Sequence, residues 1–144
     1  MTVPVFGQKK NTYVKRDAAY AIIFDESKEK IALILINGAD YFLPGGGIEE
    51  GENHVMCLKR EALEEMGMAI EPIHYLGYAQ QYFYSCNNAV YYLNEGHFYI
   101  CEKKQLVGEP LEKGHVLVWL EPSVASTKVI HAYQAWAIQK ALEW

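Results

Sequence analysis

A chain of 144 residues, 51% apolar and 22% charged, is long enough to bury one hydrophobic core unaided and is not biased enough in composition to be disordered. Its formal charge of -5, from 13 Lys and Arg against 18 Asp and Glu, argues against long nucleic acid as a partner. A small anionic substrate stays open, because a divalent cation reverses the local field of an acidic cleft.

In chain order, Asp17 to Phe24 (DAAYAIIF) reads as a strand, DESKEK as a polar turn, and Ile31 to Ile36 (IALILI) as a strand covered on both faces. Tyr41 to Leu43 is a short strand stopped by Pro44 and three glycines. Asn53 to Met66 carries a helical pattern, with Val55, Leu58, Ala62 and Met66 as one apolar stripe and Gly67 as its stop. Ile73 to Ser85 and Ala89 to Cys101 are β-like and rich in Tyr, Phe and Ile, and Val116 to Leu120 is a further strand. Pro122 opens a short helical piece. Ile130 to Leu142 closes the chain as a helix with Ile130, Tyr133, Ala137 and Ala141 on one face. With no repeat and no linker, residues 1–144 read as one domain, a layered α/β unit with a mixed sheet. Cys57, Cys86 and Cys101 lack the spacing of a zinc site and are expected as buried free thiols. The sequence has no apolar run of signal-peptide or membrane-spanning length, so a cytoplasmic protein without a membrane partner is expected.

The chemistry concentrates between Gly46 and Met68. Glu61, Glu64 and Glu65 stand at i, i+3 and i+4 and share an arc of roughly 100° beside the apolar stripe. Like charges so placed repel, and their position near the helix C-terminus sets them against the helix dipole. A hard divalent cation such as Mg²⁺ or Mn²⁺ would offset this; a solvated acidic face is the alternative. Pro44 to Gly47 form a glycine-rich turn that can aim backbone groups at a metal or a phosphate, and no Walker GK[ST] follows it. Glu52 precedes the helix and Arg60 follows two turns later, within reach of a charge-assisted bond that would fix loop to helix. The five histidines form no HExxH and no close pair, which gives no support to zinc chemistry.

This stretch resembles the Nudix box: G, five residues, E, seven residues, then R-E-U-x-E-E-x-G-U with U apolar. Gly46, Glu52, Arg60, Glu61, Ala62, Glu64, Glu65, Gly67 and Met68 fill every specified position, and Leu43-Pro44-Gly45 resembles the usual lead-in. The resemblance implies an α/β/α sandwich with a mixed central sheet and Mg²⁺-dependent (Mn²⁺ as an option) hydrolysis of a nucleoside diphosphate linked to another group. By match to the box, Glu61, Glu64, Glu65 and the Gly46 carbonyl are the metal ligands, Glu52 is structural support, and Arg60 belongs to the catalytic machinery. Whether Glu61 is ligand or general base is left open. Glu112, in the polar loop GEPLEKGH, is the candidate auxiliary base or extra ligand, with Glu109 as its competitor.

Substrate choice lies outside the box. Members acting on ADP-ribose often carry a proline about 16 residues beyond it. Tyr84 stands there instead, with no proline between Pro72 and Pro110. Tyr82 and Tyr84 are the candidate base-stacking residues, with ordinary strand packing as the alternative. A nucleoside triphosphate, oxidised ones included, is the first expectation. A dinucleoside polyphosphate is second and a nucleotide sugar third. A non-catalytic nucleotide sensor would be expected to have lost its glutamates. An isomerase of isopentenyl diphosphate on the same fold would need a cysteine better placed than Cys57. The chain is expected to be a monomer or homodimer.

Overall fold

The computed structural model describes residues 2–144. The chain runs β1 (Val5–Phe6), β2 (Val14–Ile23), β3 (Ile31–Ile36), β4 (Asp40–Phe42), β5 (Gly45–Gly47), α1 (His54–Met66), β6 (Met68–Ser85), β7 (Val90–Leu106), β8 (His115–Leu120), α2 (Pro122–Lys128) and α3 (Ala132–Ala141). The expected mixed central sheet is present in two pieces. One has the order β1-β6-β7-β2-β5, with β2 parallel to β7 and β1 parallel to β6; the other is antiparallel, β4-β3-β8.

The continuous apolar runs of β2 and β3 have a direct cause: both strands are covered on both faces. Ala18, Tyr20 and Ile22 join Ile31 and Leu33 in a core closed by α2 and α3. Ala19, Ala21 and Ile23 join Ala32 and Ile34 in a second core closed by α1. The chain crosses from one sheet to the other at Leu43 and Pro44, between β4 and β5. Buried Gln134 of α3 fixes that crossing, its Oε1 accepting from Leu43 N–H at 2.7 Å.

Local rules set the ends of α1. Asn53 caps its start in an extended conformation, its side chain accepting from Met56 N–H at 2.8 Å. Gly67 ends it in the left-handed region at φ 63°. The helix's last carbonyls, which have no partner within it, accept from the following loop. Glu64 O takes Leu111 N–H at 2.9 Å and Glu112 N–H at 3.2 Å, and Gly67 O takes Val107 N–H at 2.7 Å.

Several expectations need correction. Val55 is exposed, because the inward slot at the start of α1 is taken by Cys57, whose thiol packs on the Gly46 and Gly47 carbonyls. Ile130 is also exposed and lies outside α3. Its N–H donates to Tyr41 O, and Val129 bridges Tyr41, so this segment is extended against β4. Cys57 and Cys101 are buried free thiols, but Cys86 lies exposed in the turn that joins β6 to β7. Both long strands outrun their apolar segments. β6 starts at Met68, tolerating Pro72 at a register shift, and β7 continues through exposed Glu102 to Leu106. Among the described residues no helix is long and apolar enough to cross a membrane.

At Gly67 a Cβ would lie 2.0 Å from Gly108 O, whereas at Gly38, with a similar φ of 70°, it would meet nothing within 4 Å. Gly38→Ala should cost about 1 kcal/mol for the left-handed backbone alone. Gly67→Ala should cost at least about 1 kcal/mol more, because the loop after β7 must lift off α1. Thermal denaturation of the two variants checks this; equal losses would count against the loop being docked there.

Candidate active site

Glycine is required in β5 by close approach on both sides. A Cβ on Gly45, at φ 138°, would lie 2.2 Å from Ala19 O. One on Gly46 would lie 2.9 Å from Glu61 Oε1. The bare strand therefore lies flush between β2 and α1, with the Glu61 carboxylate against it. Glu65 pins the same strand: its Oε1 accepts from Gly45 N–H at 2.9 Å, deep enough to be almost wholly buried. The Gly46 carbonyl faces α1, where the Cys57 thiol lies at 3.5 Å.

Arg60 does reach back to Glu52. Its Nε donates to Glu52 Oε2 at 2.6 Å and its Nη2 to Glu52 Oε1 at 3.0 Å, a two-point contact. Nη2 also donates to Gly47 O at 3.1 Å, while Nη1 donates to Glu61 Oε1 at 3.0 Å and Glu64 Oε2 at 3.1 Å. One guanidinium thus ties the entry loop, the glycine strand and two helix carboxylates together. Its hydrogen bonds hold the Glu52 carboxyl below the usual range.

The acidic face is not uniform. Glu61, Glu64 and Glu112 bring one oxygen each to within 4.8 Å of one another. Glu112 arrives there because its loop caps α1; the competitor Glu109 is exposed and stands outside the group. Glu65 also stands outside it, with one oxygen on Gly45 and the other 3.9 Å from His115 Nδ1. Hard oxygen donors at this spacing suit a divalent cation of the Mg²⁺ or Mn²⁺ type. Burial pushes the Glu61 carboxyl up to about 7, with Arg60 pulling it down and Glu64 and Glu112 raising it. Burial pushes Glu65 further, to about 9, against the Gly45 N–H that favours its charged form.

Tyr82 and Tyr84 lie on the distal half of the β6–β7 hairpin. Tyr82 packs edge-on against Tyr13 at 5.3 Å and Tyr84 against Tyr91 at 4.8 Å. Among the described residues no hydrogen bond ties either to the acidic group. A different aromatic set stands next to the chain crossing: His131 packs on Phe42 at 5.8 Å and on Phe83 at 5.0 Å, and Phe83 stacks on Tyr92 at 5.5 Å. Strand alternation was the available signal, since Phe83 must point to the face opposite Tyr82 and Tyr84. His115, whose Nε2 is 3.1 Å from Glu112 Oε2, is the other residue the sequence reading passed over. A separate groove of 610 Å³, lined by residues including Phe24, Ile73, Ile100 and Trp144, includes none of Glu61, Glu64, Glu65 and Glu112.

A mixed two-piece sheet between helices, with an acidic helix closed on a glycine strand, has the oxygen donors of a divalent-cation site. The NUDIX domain model matches residues 14–140, and the chain belongs to the Nudix family, whose members hydrolyse nucleoside diphosphate derivatives. Solved structures with a similar fold include a NUDIX hydrolase from Nitrosomonas europaea, with TM-score 0.71, 18% identity, and coverage of 90% of this chain and 89% of that one. The E. coli dihydroneopterin triphosphate pyrophosphohydrolase follows at TM-score 0.66, 14% identity, and coverage of 90% and 97%. A MutT protein from Bacillus halodurans aligns at TM-score 0.65, 20% identity, and coverage of 90% and 83%. No curated protein matches the chain in sequence.

Glu61 and Glu65 hold their protons more tightly in the folded chain than at their ordinary value of 4.5. Above 4.5 the native state therefore binds more protons than the unfolded one, and stability falls as pH rises, to about 7 for Glu61 and about 9 for Glu65. In metal-free buffer the thermal midpoint should drop steadily over this window. Glu65→Gln should flatten its upper part, and a parent profile that is level or rising from about pH 5 to about pH 9 would contradict the assignment.

Proposed function

We propose that the chain is a Mg²⁺-dependent nucleoside triphosphate pyrophosphohydrolase, with base-oxidised nucleotides among its candidate substrates. The observation that carries this reading is the convergence of Glu61, Glu64 and Glu112 within 4.8 Å beside a strand of three glycines. When bound, a divalent cation neutralises phosphate charge and acidifies the attacking water. Glu61, Glu64, the Gly46 carbonyl and the free oxygen of Glu65 would hold it, and Glu112 supplies a further oxygen or an auxiliary base. Arg60 orients the carboxylates while Glu52 anchors Arg60. A Glu61 carboxyl raised to about 7 is suited to take a proton from water near neutral pH.

A triphosphate is favoured because the E. coli neighbour is itself named for a triphosphate substrate. Residues 1–144 act in this reading as one cytoplasmic unit, monomer or homodimer, with no long nucleic acid and no membrane as partner. Tyr82 and Tyr84 remain candidates for base stacking; Phe42, Phe83 and His131 lie nearer the chain crossing into β5. The exposed Tyr84–Tyr91 pair favours a dinucleoside polyphosphate as the second reading, because it offers a surface for a second base. A nucleotide-sensing domain without catalysis is disfavoured by the full set of glutamates.

The test is a panel of nucleoside triphosphates, oxidised triphosphates, dinucleoside polyphosphates and nucleotide sugars with Mg²⁺ or Mn²⁺. Pyrophosphate release from a triphosphate is expected, falling at least about 100-fold in Glu64→Gln with the fold intact. Turnover of no panel member, or undiminished turnover in Glu64→Gln, would overturn the reading.

A further inference from the structure

His115 opens β8 and stands between two carboxylates that play different parts. On one side its Nε2 lies 3.1 Å from Glu112 Oε2. On the other its Nδ1 faces Glu65 Oε2 at 3.9 Å, and this ring nitrogen is buried without a hydrogen-bond partner. The imidazole itself is largely buried, while the Glu112 side chain is close to half exposed. This contrast matters because of how Glu112 is held. Its backbone is fixed by the N–H groups of Leu111 and Glu112 donating to Glu64 O, and the far end of the loop is fixed by Asn37 N–H donating to Gly114 O. Neither bond restrains the three side-chain torsions that decide where the carboxylate stands. Repulsion from Glu61 and Glu64 drives it outward, toward solvent. Among the described residues the His115 ring is the one side chain within ion-pairing distance of Glu112.

The geometry points to His115 as a positioning residue that holds the Glu112 carboxylate over Glu61 and Glu64, so that the acidic group is assembled before a cation arrives. It acts through Glu112 and touches neither substrate nor reacting atoms. The inference rests on the hydrolase reading of the acidic site and adds to it a residue from outside the helix and its glycine turn. Side chains that orient a metal's ligands usually change affinity by about 10- to 100-fold when removed.

The experiment follows Mn²⁺ binding to the protein alone by electron paramagnetic resonance, with kcat and KM for the best triphosphate measured in parallel. His115→Leu keeps the bulk and removes the polar contact; His115→Gln keeps an N–H near the position of Nε2. His115→Leu is expected to weaken Mn²⁺ binding about tenfold and lower kcat with little change in KM, and His115→Gln to restore most of both. In a Glu112→Gln background His115→Leu should add nothing. Circular dichroism reports folding, and if His115→Leu does not fold, the Gln variant and the Glu112 background carry the comparison. Parent-like Mn²⁺ binding in His115→Leu, or in Glu112→Gln, overturns the proposal. So does a His115→Leu loss that persists in full without Glu112. Glu64→Gln separates the two levels. If it abolishes Mn²⁺ binding while His115→Leu does not alter it, the metal site stands and only the positioning role fails. If it leaves Mn²⁺ binding intact, the hydrolase reading itself fails.

Discussion

Negative charge held at short range is the constraint around which this molecule is built. Arg60 contacts Glu49, Glu52, Glu61 and Glu64, one cation against four carboxylates. Two like charges about 4 Å apart repel by about 4 kcal/mol at the effective dielectric of a protein surface, a large fraction of a domain's stability. A single guanidinium cannot offset several such terms. Burial, with the neighbouring carboxylates adding to it, pushes Glu61 and Glu65 up to about 7 and about 9, so protons relieve part of this cost and a divalent cation would relieve it in their place. The same electrostatic demand that destabilises the bare helix thus creates affinity for an ion.

That arrangement depends on close packing beneath it. Ala19, Ala21 and Ala32 present a low platform under α1, and Ala62 faces that core from the helix together with Cys57, Leu58 and Met66. Larger side chains there would lift the helix and open a gap between Glu61 and Gly46. The glycines of β5 complete the condition from the other side, since Gly46 has no room for a Cβ. Small residues at both surfaces set how near the carboxylates come to the backbone, so packing and electrostatics are one problem here.

The parts of this design that follow from local rules were legible in the amino-acid order. The stop at Gly67, the doubly covered strand β3, and the reach of Arg60 to Glu52 all depend on spacings of a few residues. What was not legible depends on contacts between distant segments. Val55 was read as core because helical periodicity cannot reveal that Cys57 meets the glycine strand. Ile130 was read as helical because nothing near it in sequence announces Tyr41 as its partner. Glu112 was preferred to Glu109 on loop position and chemistry alone, and the contact that brings it to the acidic group, the capping of α1, lies between distant segments. Tyr82 and Tyr84 were chosen on their distance beyond the box, and only the pairing of β6 with β7 shows which face of the hairpin turns toward α3, where Gln81 accepts from Tyr133 N–H.

The capping of α1 also binds stability to function. A helix ends with carbonyls that need donors, and a helix with Glu64 and Glu65 in its last turn adds side-chain charge to that unfavourable end. Water could satisfy the carbonyls, but a loop that donates Val107, Leu111 and Glu112 N–H groups does so while carrying a further carboxylate into place. The backbone bonds are neutral to the presence of an ion, and they persist whether or not the acidic group is filled. The side chain they deliver is not neutral to it, because Glu112 adds repulsion to the acidic group and would offer a further oxygen to a cation there. The loop is therefore held by one kind of force and made useful by another. That separation leaves the acidic group resting on neutral backbone bonds, and a divalent cation would be an effective source of relief for it.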